Sequence, residues 1–271
     1  MSSFILSCTT CAFRAPYKDE LAETFKHGPT NEYRYWGAAG PALGPFIGPW
    51  LNVERIKAEA TKAGFLGCTE VYSPQVSTAS LQEGIASIGA IVAQAEYAVA
   101  MESPYLVITG GKRLEGIEGL EATVVGLREL LHRIEGFPLK VALEPHYHSR
   151  FRDEVDYDYI LGEIDHTQLG VTVDTGHLHQ AAVDIESFIH RYSSKIWNVH
   201  VKDHIGGHSV PLGVGDIDLR GIIAALHNIG YEGALALEIE PEDPENLPRY
   251  VAESHPFLSC LVEDITGRKP E

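Results

Sequence analysis

The sequence is poor in cysteine, which excludes a disulfide framework. Only 4 of its 271 residues are cysteines, at Cys8, Cys11, Cys68 and Cys260. Cys8 and Cys11 form a single C-x-x-C pair, and a zinc or redox role would need a second pair or a flanking context that the sequence lacks. We therefore expect reduced, packed thiols, as is usual in a cytosolic protein.

Long apolar runs are also missing. The longest, such as IVAQAEYAVAM, fall far short of the roughly 18–20 residues that a membrane span needs. The first residues, MSSFILSCTTCAF, have neither a basic start nor a long apolar core, so no signal peptide is expected. These absences predict a cytoplasmic protein without a membrane partner.

Basic residues are outnumbered, with 21 Lys and Arg against 38 Asp and Glu and a formal net charge of -17 at pH 7. Binding to nucleic acid depends largely on Lys and Arg that neutralise phosphates. The chain is therefore not expected to bind nucleic acid. The acidic residues are scattered along the sequence, which is typical of a solvated surface.

What the sequence does contain is an alternation of short apolar β-type segments with amphipathic helical segments. Val124, Leu127 and Leu131, for example, recur at three- and four-residue steps, as one buried helix face requires. The β-type segments are nearly continuous apolar runs, which is typical of parallel strands buried on both faces. Eight strands are predicted, at residues 4–13, 31–38, 66–73, 105–111, 139–147, 169–176, 196–203 and 233–241.

Eight strand–helix units predict a (β/α)8 TIM barrel of the α/β class, formed as a single domain by residues 1–271. Residues 14–50 are rich in Gly, Pro and aromatics, and we predict an elaborated, loop-rich βα region there with room for one short helix. A seven-unit open sheet is the alternative if NEYRYWGA (31–38) is not a strand.

Four successive predicted strands end in residues that can bind a metal: Glu144, Asp174, His200 and Glu238. Each follows an apolar segment, where an unpaired carboxylate would carry a large desolvation cost. Three carboxylates meeting at one barrel mouth would also repel each other, and a divalent cation resolves both problems. The donor set is rich in oxygen, which suits Mn²⁺, Mg²⁺ or Co²⁺ better than a structural zinc. We predict one divalent ion, Mn²⁺ first, with Mg²⁺, Co²⁺ and Zn²⁺ as alternatives.

Each of these residues, taken singly, has an ordinary structural explanation. An acidic residue at a strand end is commonly a turn former or helix cap, and a lone histidine is commonly a packed ring. Asp216 or Asp218 is predicted to cap the following helix, with residues 204–210 as a substrate rim or lid. It is the succession of four ligand-type residues at four strand ends that favours the metal site.

In these motifs the sequence resembles the xylose isomerase-like sugar isomerase/epimerase barrels. VALEPH, GVTVDTGH, HVKD followed by PLGVGDIDLRGIIAAL, and ALALEIE match that family's motifs of strands five to eight in order and spacing. The resemblance implies that Glu144, Asp174, His200 and Glu238 bind a divalent metal, and that His177 contacts the substrate.

The resemblance also implies a reaction, the isomerisation or epimerisation of a ketose or keto-polyol through a metal-stabilised enediolate. One carboxylate takes the proton beside the carbonyl and a second returns it, and Glu144 and Glu238 are the expected acid–base pair. His177 would hold the reacting hydroxyl, and His146 or His148 would bind substrate or orient the metal ligands.

The sequence departs from the family where substrate would bind. Trp36 stands near the end of the second strand, where the family often has a glutamate, and its ring can stack on a sugar or simply pack. The arginine that commonly follows the strand-seven histidine in the epimerases is replaced by His204 and His208. Lys112 and Arg150 can reach a phosphate or carboxylate of the substrate, or can lie on the surface.

Several functions remain open at this stage. The first is an isomerase or epimerase, with a sugar or polyol-ketone as its small-molecule partner, and a homo-oligomer stays open. The same ligands would serve a dehydratase of a keto-inositol, keto-sugar or dehydroshikimate-like compound, or a barrel that binds a ligand without turnover. An endonuclease IV-type apurinic-site nuclease is disfavoured, because it needs histidines from earlier strands and a basic DNA track.

Overall fold

A computed structural model of the chain describes residues 4–14, 19–38, 53–113 and 116–271. The rest of the predicted loop-rich region, residues 15–18 and 39–50, lies outside these ranges. The elements in chain order are β1 (Ile5–Thr9), α1 (Glu20–His27), β2 (Tyr35–Ala38), α2 (Val53–Ala63), β3 (Gly67–Tyr72), α3 (Leu81–Ala100), β4 (Tyr105–Thr109), α4 (Glu118–Arg133), β5 (Lys140–Glu144), α5 (Glu154–Glu163), β6 (Leu169–Asp174), α6 (Thr175–Gln180), α7 (Ile185–Arg191), β7 (Ile196–Val201), β8 (Asp203–Ile205), β9 (His208–Val210), α8 (Leu219–Asn228), β10 (Ala234–Leu237) and α9 (Leu247–Thr266).

The strands β1 to β7 and β10 close into a parallel barrel. Strand β2 pairs with both β1 and β3, and β10 pairs with β7 and β1. The predicted (β/α)8 barrel is therefore confirmed, and the alternative of a seven-unit open sheet is wrong. The assignment of residues 1–271 to one domain stays a prediction.

Strand ends differ from the predicted ones where a helix or turn takes over earlier. Strand β6 stops at Asp174 because its carboxylate accepts a hydrogen bond from His177 N at 2.7 Å and begins α6 as an N-cap. Residues Thr10–Phe13, predicted as strand, form a turn of 3-10 helix directly after β1. Of the two predicted caps for α8, Asp218 is the one used, since it accepts from Gly221 N at 2.9 Å.

The apolar core lies mainly between the barrel and its helices. The predicted face of α4, with Val124, Leu127 and Leu131, is buried there. A smaller cluster inside the barrel includes Val107 and Ala142. Because alternate residues of a strand point to the same side, Glu144 lies on the inner side, one step above Ala142.

Helices of the described residues are too short or too polar to cross a membrane. A cytoplasmic location stays a prediction.

Candidate metal centre

The four predicted ligands converge at the carboxyl ends of the strands. Glu144 and Asp174 are the last residues of β5 and β6, His200 lies near the end of β7, and Glu238 directly follows β10. One potential ligand atom from each lies within 4.8 Å of the others. All four are buried, none more than 3% exposed. The arrangement fits a divalent metal site.

His200 occupies the centre of this cluster. Its Nδ1 lies 2.7 Å from Glu144 Oε1, 3.1 Å from Glu238 Oε2 and 3.6 Å from Asp174 Oδ2. Burial by itself would lower the pKa of His200, but the surrounding carboxylates raise it well above its usual value. One ring nitrogen thus faces all three predicted carboxylate ligands.

Two buried residues outside the predicted ligand set complete the cluster. Lys202 Nζ lies 3.0 Å from Asp174 Oδ2 and 3.4 Å from Glu238 Oε2. The hydroxyl of Tyr72 lies 3.0 Å from both Glu144 Oε1 and Glu238 Oε2. The available signal for Lys202 was its position directly after β7, two residues beyond His200, a spacing that puts both side chains on the same side of an extended chain.

Charge supports a divalent ion at this site. Four buried carboxylates meet here, those of Glu144, Asp174 and Glu238 and that of Glu70, which contacts His200 from below. Among the described residues, Lys202 and His200 are the basic side chains that lie within ion-pair distance of these carboxylates. Two positive charges cannot balance four carboxylates, so the cluster keeps negative charge even when His200 is protonated. Buried uncompensated charge is costly, and a divalent cation would supply what is missing.

The two glutamates titrate differently. Burial, together with the nearby Glu238 and Asp174, raises the pKa of Glu144 to about 7 against the pull of His200. Burial also works to raise the pKa of Glu238, but the Lys202 ammonium and the His200 ring lower it to about 2. Environments that push two carboxylates apart in this way are typical of acid–base pairs.

Three histidine rings, those of His177, His146 and His148, lie in a row beside the cluster. Burial and the nearby Lys202 lower the pKa of His177 to about 3, so its ring is neutral. His146 packs on it with ring centroids 4.0 Å apart, and the exposed His148 follows at 6.2 Å from His146. His177 Nε2 is 3.4 Å from Lys202 Nζ. Substrate contacts by these three histidines stay predictions that the geometry accommodates.

The other predicted substrate residues fare differently. Trp36 is 1% exposed and packs edge-on against Phe25, with ring centroids 5.0 Å apart, in the layer between barrel and helices. This surrounding matches the alternative that the ring simply packs, and a contact with substrate stays a prediction. Arg150 forms a buried ion pair with Asp156, which is itself fully buried, and its contact with substrate stays a prediction. Lys112 is exposed, and its role stays a prediction.

Comparison with known proteins agrees with this fold. A family model described as the xylose isomerase-like TIM barrel matches residues 33–259. An inosose dehydratase of Lacticaseibacillus casei is 26% identical over 161 residues, 52% of this chain and 51% of that protein. The chain therefore spans about half the length of the curated relatives it matches.

Solved structures share the whole fold. A D-tagatose 3-epimerase-like protein superposes with a TM-score of 0.80 at 19% identity, covering 98% of this chain and 99% of that one. An IolI protein with a bound zinc atom gives 0.77 at 17% identity, covering 99% and 100%. At such identities the likeness concerns the fold.

Proposed function

Because this chain belongs to the xylose isomerase-like TIM barrel family, we propose that it is a divalent-metal-dependent isomerase or epimerase of ketoses or keto-polyols. The observation that carries the proposal is the cluster of Glu144, Asp174, His200 and Glu238, with potential ligand atoms within 4.8 Å of one another. A bound divalent ion, Mn²⁺ by preference, would act there as a Lewis acid toward the substrate carbonyl and the hydroxyl beside it.

The proton transfers are assigned to two carboxylates of this cluster. Glu238 is ionised at neutral pH, because its pKa is lowered to about 2, and it can accept the proton beside the carbonyl. Glu144 is assigned to return the proton from the other side of the cluster. Its pKa of about 7, raised by burial, belongs to the metal-free protein. Together they can remove a proton from one carbon and return one to the neighbouring carbon or the opposite face.

Neighbouring residues would position the substrate. His177 is neutral and can hydrogen-bond the reacting hydroxyl without adding charge. Lys202 lies beside both His177 and the carboxylates, where its ammonium can stabilise negative charge that develops on a substrate oxygen. His146 and the exposed His148 continue the row of histidine rings from His177 toward solvent, where they would contact the outer part of the substrate.

A dehydratase of an inosose or related keto-sugar is the second candidate. The similarity to an inosose dehydratase over about half its length favours it. Such a reaction begins with the same proton removal, and Glu144 would then protonate the departing hydroxyl. The same residues could catalyse either isomerisation or dehydration, so the products of the reaction have to be measured.

The test is a screen of ketoses and inososes in D₂O with the Mn²⁺-loaded protein, followed by mass spectrometry and NMR. Deuterium gained at a carbon beside the carbonyl without loss of water supports the isomerase or epimerase. Loss of one water selects the dehydratase instead. Binding of a screened compound without exchange or dehydration would contradict both and indicate a non-catalytic barrel.

Variants of the acid–base pair sharpen this test. Glu238→Gln and Glu144→Gln should each slow exchange or turnover by about 10²–10⁴-fold, because the proton acceptor is lost while the side-chain shape is kept. Glu253→Gln on the outer helix α9, where the carboxylate pairs with Arg249 and is 56% exposed, is the control and should leave turnover unchanged. Unchanged turnover in Glu238→Gln would exclude its acid–base role.

A further inference from the structure

A buried carboxylate supports the central histidine of the cluster from the side away from the other carboxylates. Glu70, in β3, is 0% exposed, and its Oε2 lies 2.8 Å from His200 Nε2. Asn198, two residues before His200 in β7, donates its side-chain N–H to the same oxygen of Glu70. Both contacts lie within the barrel, one layer below the candidate metal ligands.

The two ring nitrogens of His200 have different surroundings. Nε2 faces Glu70, which is not one of the four candidate ligands, whereas Nδ1 lies 2.7 Å from Glu144 Oε1 and 3.1 Å from Glu238 Oε2, which are. In the metal-free protein each nitrogen lies within hydrogen-bond distance of a carboxylate. An ion held by the four ligands would take the place of a proton on Nδ1, while Nε2 would keep its hydrogen bond to Glu70.

The surrounding chain is shaped to admit Glu70. A Cβ atom on Gly37 of the neighbouring strand β2 would lie 2.5 Å from Glu70 Oε1, so a larger residue there would force Glu70 out of this position. The register of the β2–β3 pair shifts between Trp36 and Gly37, so that Gly37 lies opposite Glu70. Glu70 and Tyr72 are two residues apart in β3 and therefore face the same side, toward His200.

We propose that Glu70, assisted by Asn198, is a positioning residue that holds His200 in its metal-binding orientation. The inference rests on the proposed metal site and extends it from four ligands to the residue behind them. Partners of this kind orient a ligand histidine and raise its basicity, and their loss commonly weakens metal binding by about 10–100-fold.

The experiment measures Mn²⁺ affinity by isothermal titration calorimetry on the metal-free, full-length chain and two variants. Glu70→Gln keeps the size of the side chain and a carbonyl acceptor but loses the charge, so we expect Mn²⁺ affinity to fall about 10-fold. Glu70→Ala removes the acceptor altogether and should lower affinity toward about 100-fold. Circular dichroism and thermal unfolding establish that each variant is folded.

Thr172→Val is the matched control. Thr172 is 0% exposed and pairs with Asn198 across β6 and β7, and valine replaces its hydroxyl with a methyl of the same shape. This variant disturbs the same barrel layer without touching His200, so its Mn²⁺ affinity should equal that of the parent. An equal loss of affinity in Thr172→Val would overturn the positioning role, because any disturbance of the layer would then suffice.

A second measurement reports on the ring itself. In the Zn²⁺-loaded protein labelled with ¹⁵N-histidine, His200 should show a protonated Nε2 and an unprotonated, metal-bound Nδ1. Protonation of Nδ1, or full Mn²⁺ affinity in folded Glu70→Gln and Glu70→Ala, would overturn the inference while leaving the metal site intact. Failure of the parent chain to bind Mn²⁺, Co²⁺ or Zn²⁺ would instead overturn the proposed function.

Discussion

Lys202 is the residue on which the charge balance of the cluster most directly depends. Its side chain is 2% exposed, and its ammonium lies within 3.4 Å of both Asp174 and Glu238. Burial by itself would lower the pKa of Lys202, but these carboxylates raise it well above its usual value, so the side chain stays charged. A buried charge of this kind is tolerated because its partners are fixed around it.

Replacing Lys202 should therefore destabilise the metal-free protein. Lys202→Met keeps the apolar stem but removes the ammonium that faces Asp174 and Glu238, and we expect the free energy of unfolding to fall by about 3–5 kcal/mol in urea with EDTA present. Lys195→Met, which breaks a looser ion pair with the exposed Asp165 at 3.8 Å and a hydrogen bond to His166 O, is the control and should cost about 1 kcal/mol. Equal losses in the two variants would contradict the proposed charge balance.

Glu20, at the start of α1, is a buried carboxylate outside the metal cluster. It is 1% exposed, and burial raises its pKa to about 7 despite the opposing pull of Arg14. Between its unfolded value near 4.5 and about 7, the folded protein binds the extra proton. Stability contributed by this group is thus present at low pH and is lost as the pH rises through that window.

Glu20→Gln should remove this pH dependence. At pH 8 the variant should exceed the parent in unfolding free energy by about 1–3 kcal/mol, and the gain should shrink toward pH 5. Urea unfolding at both pH values measures the difference. Glu23→Gln, on the same helix but with its carboxylate in surface pairs with Lys26 and His27, should show no such gain. A larger gain at pH 5 than at pH 8 would refute the assignment.

At the scale of elements, the short hairpin of β8 and β9 forms part of the rim beside the cluster. It covers most of the loop 204–210 that the sequence predicted as rim or lid. The buried Asp203 organises it, with its carboxylate accepting from the backbone N–H groups of His204, Gly213 and Gly215 at 2.9–3.0 Å. A Cβ on Gly215 would lie 2.0 Å from Asp203 Oδ1, so glycine is required at this close approach.

Asp203→Asn should loosen this rim. Hydrogen bonds to a charged acceptor contribute about 1.5–3 kcal/mol, and an amide replaces only part of them. We expect faster hydrogen exchange across residues 203–215 and a higher KM with little change in kcat. Asp216→Asn lies in the same loop, where Asp218 rather than Asp216 caps α8, and serves as the control. Parent-like exchange in Asp203→Asn would show that the carboxylate does not organise the hairpin.

At the scale of the whole molecule, the metal site links stability to ligand and pH. An ion that binds only the folded chain stabilises it by about 2.7 kcal/mol at a concentration of 100 times its Kd. The ligands bind an ion in their deprotonated forms, whereas Glu144 has a pKa of about 7 and His200 has a pKa well above its usual value in the metal-free protein. Protons therefore compete with the ion near neutral pH.

Mn²⁺ should accordingly raise the Tm more at pH 8 than at pH 6. Binding should also release protons, which calorimetry in buffers of different ionisation enthalpy would detect. Asp174→Asn, which removes one ligand charge, should show little Mn²⁺ effect at either pH. A Tm increase that grows as the pH falls would contradict the assignment of these ligands.

The local sequence pattern was sufficient to predict the fold and the four residues that converge at the end of the barrel. Apolar runs and helical periodicity depend only on neighbouring residues, and they predicted the eight strands of a closed barrel correctly. Glu144, Asp174, His200 and Glu238 were recognisable because parallel strands of a barrel end on one face, so a residue's place at a strand end also gives its place in space.

The sequence by itself determined the barrel and the convergence of these four residues, whereas only the tertiary structure decided which other side chains join them. Glu70 and Tyr72 come from a strand far away in sequence, and a shift of register between β2 and β3 places Gly37 opposite Glu70. The same shift lies at Trp36, which was predicted at the barrel mouth but packs outside. Moving a strand by one residue exchanges its two faces, and closure of the barrel, rather than any local pattern, fixes that register.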